Sequence, residues 1–535
     1  MTRSTPVLSD RRHPGAFALG CAAVTAGVVL HLPMFWMARD NGFRLADMAM
    51  DDAMLWGMLL IVVGIAVAGY GLLPKRATSA AAQDDVHAVA PEDTPLSWAH
   101  WQLLVTLTVA LVIDVMKPAS LGFVLPGMVD EYGVSKATVA WLPFAALCGT
   151  VVGSVLWGWL ADLFGRRASI LLSAVIFVGT SICGAMPSLW WNVGMCFLMG
   201  AAAGGMLPVT YALLAETMPS RHRGWALVLV GGLGAVGGYV AASGLSAWLQ
   251  PIFGWRILWF LNLPTGLILI FMNAGIPESA KFLLSVGRFN EARATLRRFG
   301  CLLEVDAARP AAVPISAVLL PHAGAPSSLV ARTWALSVTA IAWGLINFGL
   351  LLWMPVHLVA KGYGIGPSSA LLTASALIAL PTIFVAAFVY SRWSSKGALI
   401  GAIVLTGLGL LGLLRLEWMA PAGADPVWPV ALLIVGINGI IAVLLPYAAE
   451  SYPLAIRGRA TGWVAACSKS GGLLAQGLSL VGLIPALGIA SLLILAPVLL
   501  AFALVLRYCI ETRGRDLRAL ELPSGITLEP PRESA

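Results

Sequence analysis

The sequence predicts an all-α membrane protein made of two six-helix bundles, with two additional transmembrane helices ahead of them. Three observations support this prediction. Of the 535 residues, 59% are hydrophobic and only 11% are charged, and the mean hydropathy of +0.87 exceeds what a soluble core can bury. About fourteen apolar runs are long enough to cross a bilayer. Most of the Lys and Arg residues, which give the chain a net charge of +7, fall in loops on one predicted side of the membrane.

An extra helix pair precedes the bundles, within residues 1–76. Its apolar runs lie near 15–37 and 53–74 and carry no charge in mid-span, so we expect the pair to pack outside the bundles rather than line a cavity. His31, near the end of the first run, is expected to be an interfacial residue. The polar and acidic segment 77–100 is interpreted as a cytoplasmic linker.

The remaining apolar runs form two groups of six, which we number core helices 1 to 12. The first bundle occupies 101–276 and the second 332–510, with a cytoplasmic inter-bundle segment at 277–331 and a cytoplasmic tail at 511–535. The expected spans are 101–126, 138–159, 167–187, 191–215, 224–249 and 254–275, then 332–359, 367–390, 397–415, 427–449, 459–483 and 486–509. Both termini are then cytoplasmic.

A repeat within the sequence indicates that a six-helix unit was duplicated. Four residues that follow core helix 4 recur at identical spacing after core helix 10. The two sets are Glu216, Pro219, Arg223 and Gly224, and Glu450, Pro453, Arg457 and Gly458. Many secondary transporters are built from such repeats, with the substrate site between the halves.

A short charged turn joins core helices 2 and 3 and carries the most specific motif in the chain. It reads GWLADLFGRR at 158–167 and resembles the G-x-L-a-D-x-x-G-R-[RK] loop of major facilitator superfamily transporters. A generic basic loop would explain the arginines but not Asp162 and both glycines at their spacing. The resemblance implies a cytoplasmic gate of ion pairs, which must break in each cycle. Its residues are Gly158, Asp162, Gly165, Arg166, Arg167, Glu216, Arg223, Glu450 and Arg457.

Other segments resemble the sugar-porter and metabolite–proton symporter branches of that superfamily. PESAKFLL at 277–284 is similar to their Pro-Glu-Ser-Pro-Arg-Trp-Leu signature, and ETRGR at 511–515 to their Pro-Glu-Thr-Lys-Gly sequence. The second copy of the opening motif, at 390–396, is degraded. In core helix 1, DVMK followed by LGFVLP resembles the Asp-Gly-x-Asp and Gly-Phe-x-x-Pro run of aromatic-acid–proton symporters, with Lys117 at the second acidic position.

Two spans contain ionisable side chains, and such groups deep in a membrane helix are functional hypotheses by default. Asp114 lies ~20 Å along core helix 1 from Trp101, and we interpret it as the proton-coupling residue. Lys117, on the same helical face, and Lys469, ~15 Å into core helix 11, are expected to bind substrate. For Asp114 and Lys117 the alternative is a pair that only seats the helix. For Lys469 it is a lysine hydrogen-bonded to carbonyls of neighbouring helices.

Weaker substrate-binding candidates are polar residues on helices that line the cavity in this superfamily, as the resemblance implies. They are Tyr211, Asn347, Asn438 and Gln476. Each could equally form a helix–helix hydrogen bond.

The sequence therefore predicts a secondary active transporter, not an enzyme, in a bacterial inner membrane. The favoured activity is proton-coupled uptake of a small organic solute, an organic anion rather than a neutral sugar, by alternating access. The alternatives are a proton-driven exporter of a metabolite or drug, a sugar or polyol symporter, and a non-transporting receptor or scaffold. Drug efflux is disfavoured because no proline lies between Arg221 and Gln250 in core helix 5, where drug antiporters carry a Gly-Pro motif.

The expected partners are the substrate, protons and the lipid bilayer. The seven cysteines have no metal-ligand spacing, and the phosphate-binding pattern Gly-x4-Gly-Lys-[Ser/Thr] does not occur in the sequence. We expect no cofactor, no metal ion and no nucleic-acid partner. A monomer is expected.

Overall fold

The computed structural model describes residues 12–46, 48–72, 95–285, 288–300, 326–419, 426–452, 454–483 and 485–513. Across these ranges the regular structure is entirely helical, so the all-α prediction is confirmed. By length and apolar composition alone, eleven helices in the described ranges could cross a membrane. Core helices 4, 6 and 11 do not meet that criterion, and the total of about fourteen spans therefore stays a prediction.

The extra pair consists of helix Arg12–Val29, continued by Leu32–Met37, and helix Asp52–Leu72. Glycines bring the two backbones together, since a Cβ on Gly64 would lie 2.8 Å from the backbone nitrogen of Val24. Small residues at helix contacts are typical of membrane proteins, where close packing replaces the hydrophobic effect. The pair forms one apolar cluster with core helix 3 and with the start of core helix 6.

The interpretation of His31 as interfacial stays a prediction, and the structure shows how its side chain packs. Its side chain is fully buried between the two extra helices, with Nδ1 2.8 Å from the carbonyl oxygen of Gly27. A Cβ on Gly57 would lie 2.6 Å from Cε1 of His31. The missing side chain at Gly57 therefore makes room for the imidazole ring inside the pair.

Core helix 1 is a single helix, Trp98–Tyr132, longer than the expected span at both ends. Ser97 caps its start, and Gly133 ends it in the left-handed region with φ 61°. The remaining helices of the first bundle are Trp141–Phe164 (core helix 2), Arg166–Gly179 with the 3-10 segment Thr180–Ala185 (3), Leu189–Ala203 and Met206–Thr217 (4), Ser220–Phe253 (5), and Ile257–Phe260 with Asn262–Phe271 (6).

Core helix 4 is interrupted where a tryptophan of core helix 2 enters it. Trp157 donates its indole N–H to the carbonyl oxygen of Ala201 at 2.7 Å. A Cβ on Gly205 would lie 2.0 Å from the Cβ of Trp157, so only glycine fits there. The break could not be predicted from the sequence, because the apolar run continues through Gly205 and glycine is common in membrane helices.

The inter-bundle segment contains the short helices Ala280–Ser285 and Phe289–Arg298. In the second bundle, core helices 7 and 8 each contain a π-helical stretch. The bounds are Pro326–Gly344, π Leu345–Leu351 and Leu352–Ala360 (7), Ile365–Ala379, Thr382–Phe388 and π Val389–Trp393 (8), Ser395–Trp418 (9), Val427–Ser451 (10), Leu454–Leu480 (11) and Leu487–Tyr508 (12).

Among the described residues, the two bundles meet mainly along four pairs of helices. Core helix 1 packs on core helix 7, where a Cβ on Gly122 would lie 2.5 Å from the carbonyl oxygen of Leu352. Core helix 5 packs on core helix 8, and the hydroxyls of Ser246 and Ser369 are 2.8 Å apart in a fully buried position. Core helix 5 also packs on core helix 10, and core helix 2 packs on core helix 11. Side chains that point into these contacts can therefore interact with both bundles.

Candidate functional site: buried charges between two helix bundles

Asp114 lies in the middle of core helix 1 with 6% of its surface exposed. Among the described residues it takes part in no hydrogen bond and no ion pair. Its charge interacts with those of Lys117 and Lys469, but neither ammonium group is within the 4.0 Å of an ion pair. A buried carboxylate without a partner is costly unless it binds a proton or a cation.

The ammonium group of Lys117 is directed to core helix 3 rather than to Asp114, although the two residues are only three positions apart on one helix. Its ammonium group donates to the carbonyl oxygen of Phe177 at 2.7 Å and to Oγ1 of Thr180 at 3.0 Å. It also lies over the ring of Phe177. Core helix 3 changes from α to 3-10 geometry at Thr180, and the lysine is bound at that change. This geometry gives Lys117 a contact between helices, but it is not the Asp114–Lys117 pair that the sequence offered as the alternative.

Lys469 connects the bundles. It extends from core helix 11 to core helix 2, where it donates to Oγ of Ser154 and, at 3.4 Å, to the carbonyl oxygen of Thr150. Ser154 also donates to the carbonyl oxygen of Gly204, at the break in core helix 4. The ammonium group of Lys469 is therefore held by neutral oxygen atoms, and no carboxylate in the described ranges pairs with it.

Two of the weaker candidates are engaged in helix packing. The amide of Gln476 is fully buried, donates to the carbonyl oxygen of Phe348 and accepts from the indole N–H of Trp353 at 3.2 Å. Asn438 donates to the carbonyl oxygen of Ile434, one turn earlier on its own helix, at 2.9 Å. Both amides thus have the helix-stabilising contacts that the sequence allowed as the alternative.

The other two candidates are less constrained. The side chain of Tyr211 points to core helix 5, where a Cβ on Gly231 would lie 1.8 Å from its hydroxyl. Asn347 lies in the π-helical stretch of core helix 7 and is partly exposed. In the described part of the chain, neither side chain forms a hydrogen bond.

The turn between core helices 2 and 3 lies on the face that we call the arginine-rich face. There Arg166 pairs with Glu216 of core helix 4 at 3.3 Å, and Ser279 donates to the same carboxylate. Glu278 accepts the backbone N–H of Arg166 at 2.8 Å and so caps core helix 3. Gly165 has φ 104°, and a Cβ there would lie 2.4 Å from Oε2 of Glu278. Glycine is required on both counts.

The second bundle repeats this arrangement with different residues. Glu511 accepts the backbone N–H of Ser395, the first residue of core helix 9, at 2.8 Å. Thr512 donates to Glu450 at 2.9 Å, as Ser279 does to Glu216, and Tyr390 also donates to Glu450 at 2.6 Å. The degraded motif copy thus keeps the cap and supplies a tyrosine hydroxyl.

The two capping carboxylates differ in acidity. Burial raises the pKa of Glu278 above its usual value, and the backbone N–H groups that it accepts only partly offset this. At Glu511 burial also acts to raise the pKa, but hydrogen bonds from Ser394, Ser395 and two backbone amides outweigh it and bring the pKa to about 2.

The remaining gate residues are brought together only in part. Arg167 lies beside Arg166, with its backbone N–H 3.5 Å from Glu278, and Arg223 donates to the carbonyl oxygen of Met218 at 3.4 Å. A Cβ on Gly158 would meet nothing within 4 Å. The predicted roles of Asp162 and Arg457 concern side chains outside the described part of the structure.

Sequence reasoning missed a buried ion pair at the opposite face. Glu131, at the end of core helix 1, pairs with Arg256 at 2.7 Å, and their side chains are 3% and 0% exposed. The same carboxylate accepts the backbone N–H groups of Leu45 and Ala46, in the loop of the extra pair, at 2.8 and 3.0 Å. Trp255 donates to it as well, at 2.7 Å. The one available signal was a pair of opposite charges, each at the end of a span.

Two helix bundles in contact, with buried charges in that contact, define a polytopic membrane transport protein. A family model described as Major Facilitator Superfamily matches residues 103–476. The chain therefore belongs to the major facilitator superfamily.

Related proteins and structures are consistent with this assignment. The chain is 27% identical over 401 residues to the niacin transporter NiaP of Acinetobacter baylyi, covering 72% of this chain and 87% of that protein. It is 28% identical over 372 residues to a gentisate transporter of Corynebacterium glutamicum, covering 67% and 76%. A partially occluded, inward-open structure of the xylose transporter XylE from E. coli has a TM-score of 0.64 at 16% identity, covering 78% and 100%. At that identity the likeness to XylE shows the fold alone.

Proposed function

We propose that the protein takes up a small aromatic or heteroaromatic carboxylate together with protons, by alternating access between the two bundles. The observation that carries this proposal is the presence of two charges of opposite sign at the bundle contact, one in each bundle, neither of which forms an ion pair among the described residues. Asp114 of the first bundle has no partner among the described residues, and Lys469 of the second is bound only to neutral oxygens. The names of the relatives, which specify niacin and gentisate, support a carboxylate substrate.

The two charges have complementary tasks in this proposal. A substrate carboxylate is a stronger acceptor for an ammonium group than the hydroxyl and carbonyl oxygens that now hold Lys469. Asp114 binds the coupled proton, because the neutral acid is cheaper to bury than the free carboxylate. With both sites filled, the carrier can reorient without moving net charge through an apolar region. Lys117, whose ammonium group is hydrogen-bonded to core helix 3, contributes positive electrostatic potential around Asp114 without contacting the substrate.

The ion pairs of the arginine-rich face act as the gate in the same proposal. By the positive-inside rule this face is cytoplasmic, and the membrane is a bacterial inner membrane. Arg166 with Glu216, and Glu450 with its tyrosine and threonine partners, would hold the bundles closed on this side. The contacts named here lie within one bundle each and fix the helix ends. The bundles come together beside them, where a Cβ on Gly224 of core helix 5 would lie 3.6 Å from Oε1 of Glu450.

Uptake into proteoliposomes tests the proposal, with labelled nicotinate and 4-hydroxybenzoate as probes and an imposed proton gradient. The Asp114→Asn variant should still exchange nicotinate across the membrane but no longer concentrate it. As a matched control, Glu417→Gln removes an acid that pairs with Lys361 near the protein surface and should leave accumulation unchanged. Accumulation by Asp114→Asn at the unaltered level would refute the assignment of the proton site.

A second variant tests the substrate contact. Lys469→Ala should weaken the binding of nicotinate far more than that of nicotinamide, its neutral amide. A charge-assisted hydrogen bond is roughly twice as strong as a neutral one, so at least a tenfold difference is expected, about 1.4 kcal/mol. Equal losses for the acid and the amide would mean that Lys469 only joins the bundles.

A further inference from the structure

The inter-bundle helix Phe289–Arg298 has no task in the transport proposal. One face packs on the first bundle, where Ala292 is fully buried and the Phe299 ring lies 5.0 Å from the His100 ring. The other face is exposed and basic. It carries Arg293, Arg297 and Arg298.

No acidic side chain in the described part of the chain pairs with the arginines of this face. The helix has one acidic residue, Glu291, and that carboxylate pairs with Arg288 instead. Within the described ranges Arg293, Arg297 and Arg298 form no ion pair. Like charges four residues apart on a helix repel each other, so Arg293 and Arg297 destabilise the free helix. The negative end of the helix dipole offsets a fraction of this charge and leaves a surface suited to an anion.

The helix also lies where the membrane surface should be. The guanidinium of Arg298 donates to the side-chain oxygen of Gln102, on the exposed side of core helix 1, at 3.3 Å. Close to Gln102 the side chains of Trp98 and Trp101 are 78% and 45% exposed. Exposed tryptophans at the end of a membrane span mark the level of the lipid headgroups.

We propose that Arg293, Arg297 and Arg298 form a binding site for the phosphate group of an anionic lipid in the adjoining leaflet. The planar guanidinium fork matches phosphate oxygens and is suited to this contact. Basic side chains beside a spanning helix attract anionic lipids over zwitterionic ones, because the latter bring their own cation. This site is separate from the buried charges between the bundles and does not depend on the proposed substrate.

Native mass spectrometry of the purified full-length protein, titrated with phosphatidylglycerol or phosphatidylcholine, tests the site. Removing one arginine should weaken phosphatidylglycerol binding about fivefold, and the triple variant R293Q/R297Q/R298Q should lose the preference over phosphatidylcholine. The matched control is R392Q, which removes an exposed arginine at the end of core helix 8 and should bind as the unaltered protein does.

Three outcomes would overturn the proposal. The triple variant could bind phosphatidylglycerol normally, R392Q could lose as much binding, or inorganic phosphate at equal ionic strength could displace the lipid. The last result would indicate a soluble phosphate site rather than a lipid site. Should the triple variant fail to fold, R297Q alone gives the same test, because its side chain is exposed and removing it leaves the packed face intact.

Discussion

The buried pair between Glu131 and Arg256 gives the sharpest stability prediction. In the Glu131→Gln variant the side chain keeps its shape and can still accept the N–H groups of Leu45 and Ala46. It loses the negative charge opposite a guanidinium that is 0% exposed. Removing one partner of a buried pair leaves an uncompensated charge and costs about 3–5 kcal/mol. The free energy of unfolding should therefore fall by that amount.

A neighbouring residue supplies the control. Asp130 pairs with Arg44 in the same region, but the two side chains are 71% and 54% exposed. Exposed pairs contribute about 0–1 kcal/mol, so Asp130→Asn should have little effect. Unfolding in mixed micelles of dodecyl maltoside and SDS measures both variants on one scale.

The double variant Glu131→Gln/Arg256→Met checks the physical cause. Because it removes the stranded charge as well, it should be more stable than Glu131→Gln alone. The reasoning is refuted if Glu131→Gln and Asp130→Asn lower the free energy of unfolding by the same amount. It is also refuted if the double variant has a lower free energy of unfolding than Glu131→Gln alone.

Three further predictions concern the gate and the extra pair. Arg166→Ala should slow transport strongly while the affinity for substrate changes little, since Arg166 is the first residue of core helix 3 and is not among the buried charges of core helices 1 and 11; a loss confined to affinity would contradict its assignment. Glu511→Gln should lower the melting temperature at pH 7 more than Glu278→Gln does, because folding favours the charged form only at Glu511. Hydrogen bonds hold the pKa of Glu511 at about 2, so its stabilisation should persist at pH 5 and disappear as the pH falls from about 4 through 2. A loss of stability at higher pH during acid titration would argue against the hydrogen bonds. Gly64→Leu should lower the melting temperature by separating the extra helices, whereas Gly194→Leu, at a glycine with open space around it, should not; equal shifts would mean that the close contact contributes nothing.

The all-helical membrane fold could be predicted from the sequence because membrane spans are long, apolar and separated by charged loops, whereas the total of about fourteen spans stays a prediction. The family assignment rested on the same loops, where GWLADLFGRR combines two glycines, one acid and two arginines at fixed spacing. Arg166 and Glu216 were expected to belong to one network of ion pairs and they do form a pair, while their role as a gate stays a prediction. The caps formed by Glu278 and Glu511 were not foreseen, because a cap joins segments that are distant in the chain.

The directions of the buried side chains could not be predicted. A three-residue spacing on a helix places Asp114 and Lys117 on one face, but a lysine side chain is long enough to bind a neighbouring helix instead. The partner of Lys117 is a carbonyl exposed by a change of helix geometry near Thr180, and no local pattern in the sequence marks that change. The pair of Glu131 and Arg256 joins residues that are 125 positions apart.

The π-helical stretch Leu345–Leu351 has a consequence for comparing this chain with others. A π turn closes its hydrogen bond over one more residue than an α turn, so it stores a single inserted residue inside an intact helix. The carbonyl of Phe348 lies in this turn and accepts the amide of Gln476, which satisfies an oxygen in the widened turn. A relative with a regular core helix 7 should therefore align with a one-residue gap here. Deleting one residue from this stretch should be tolerated where deletion elsewhere in the helix would rotate every later side chain by about 100°.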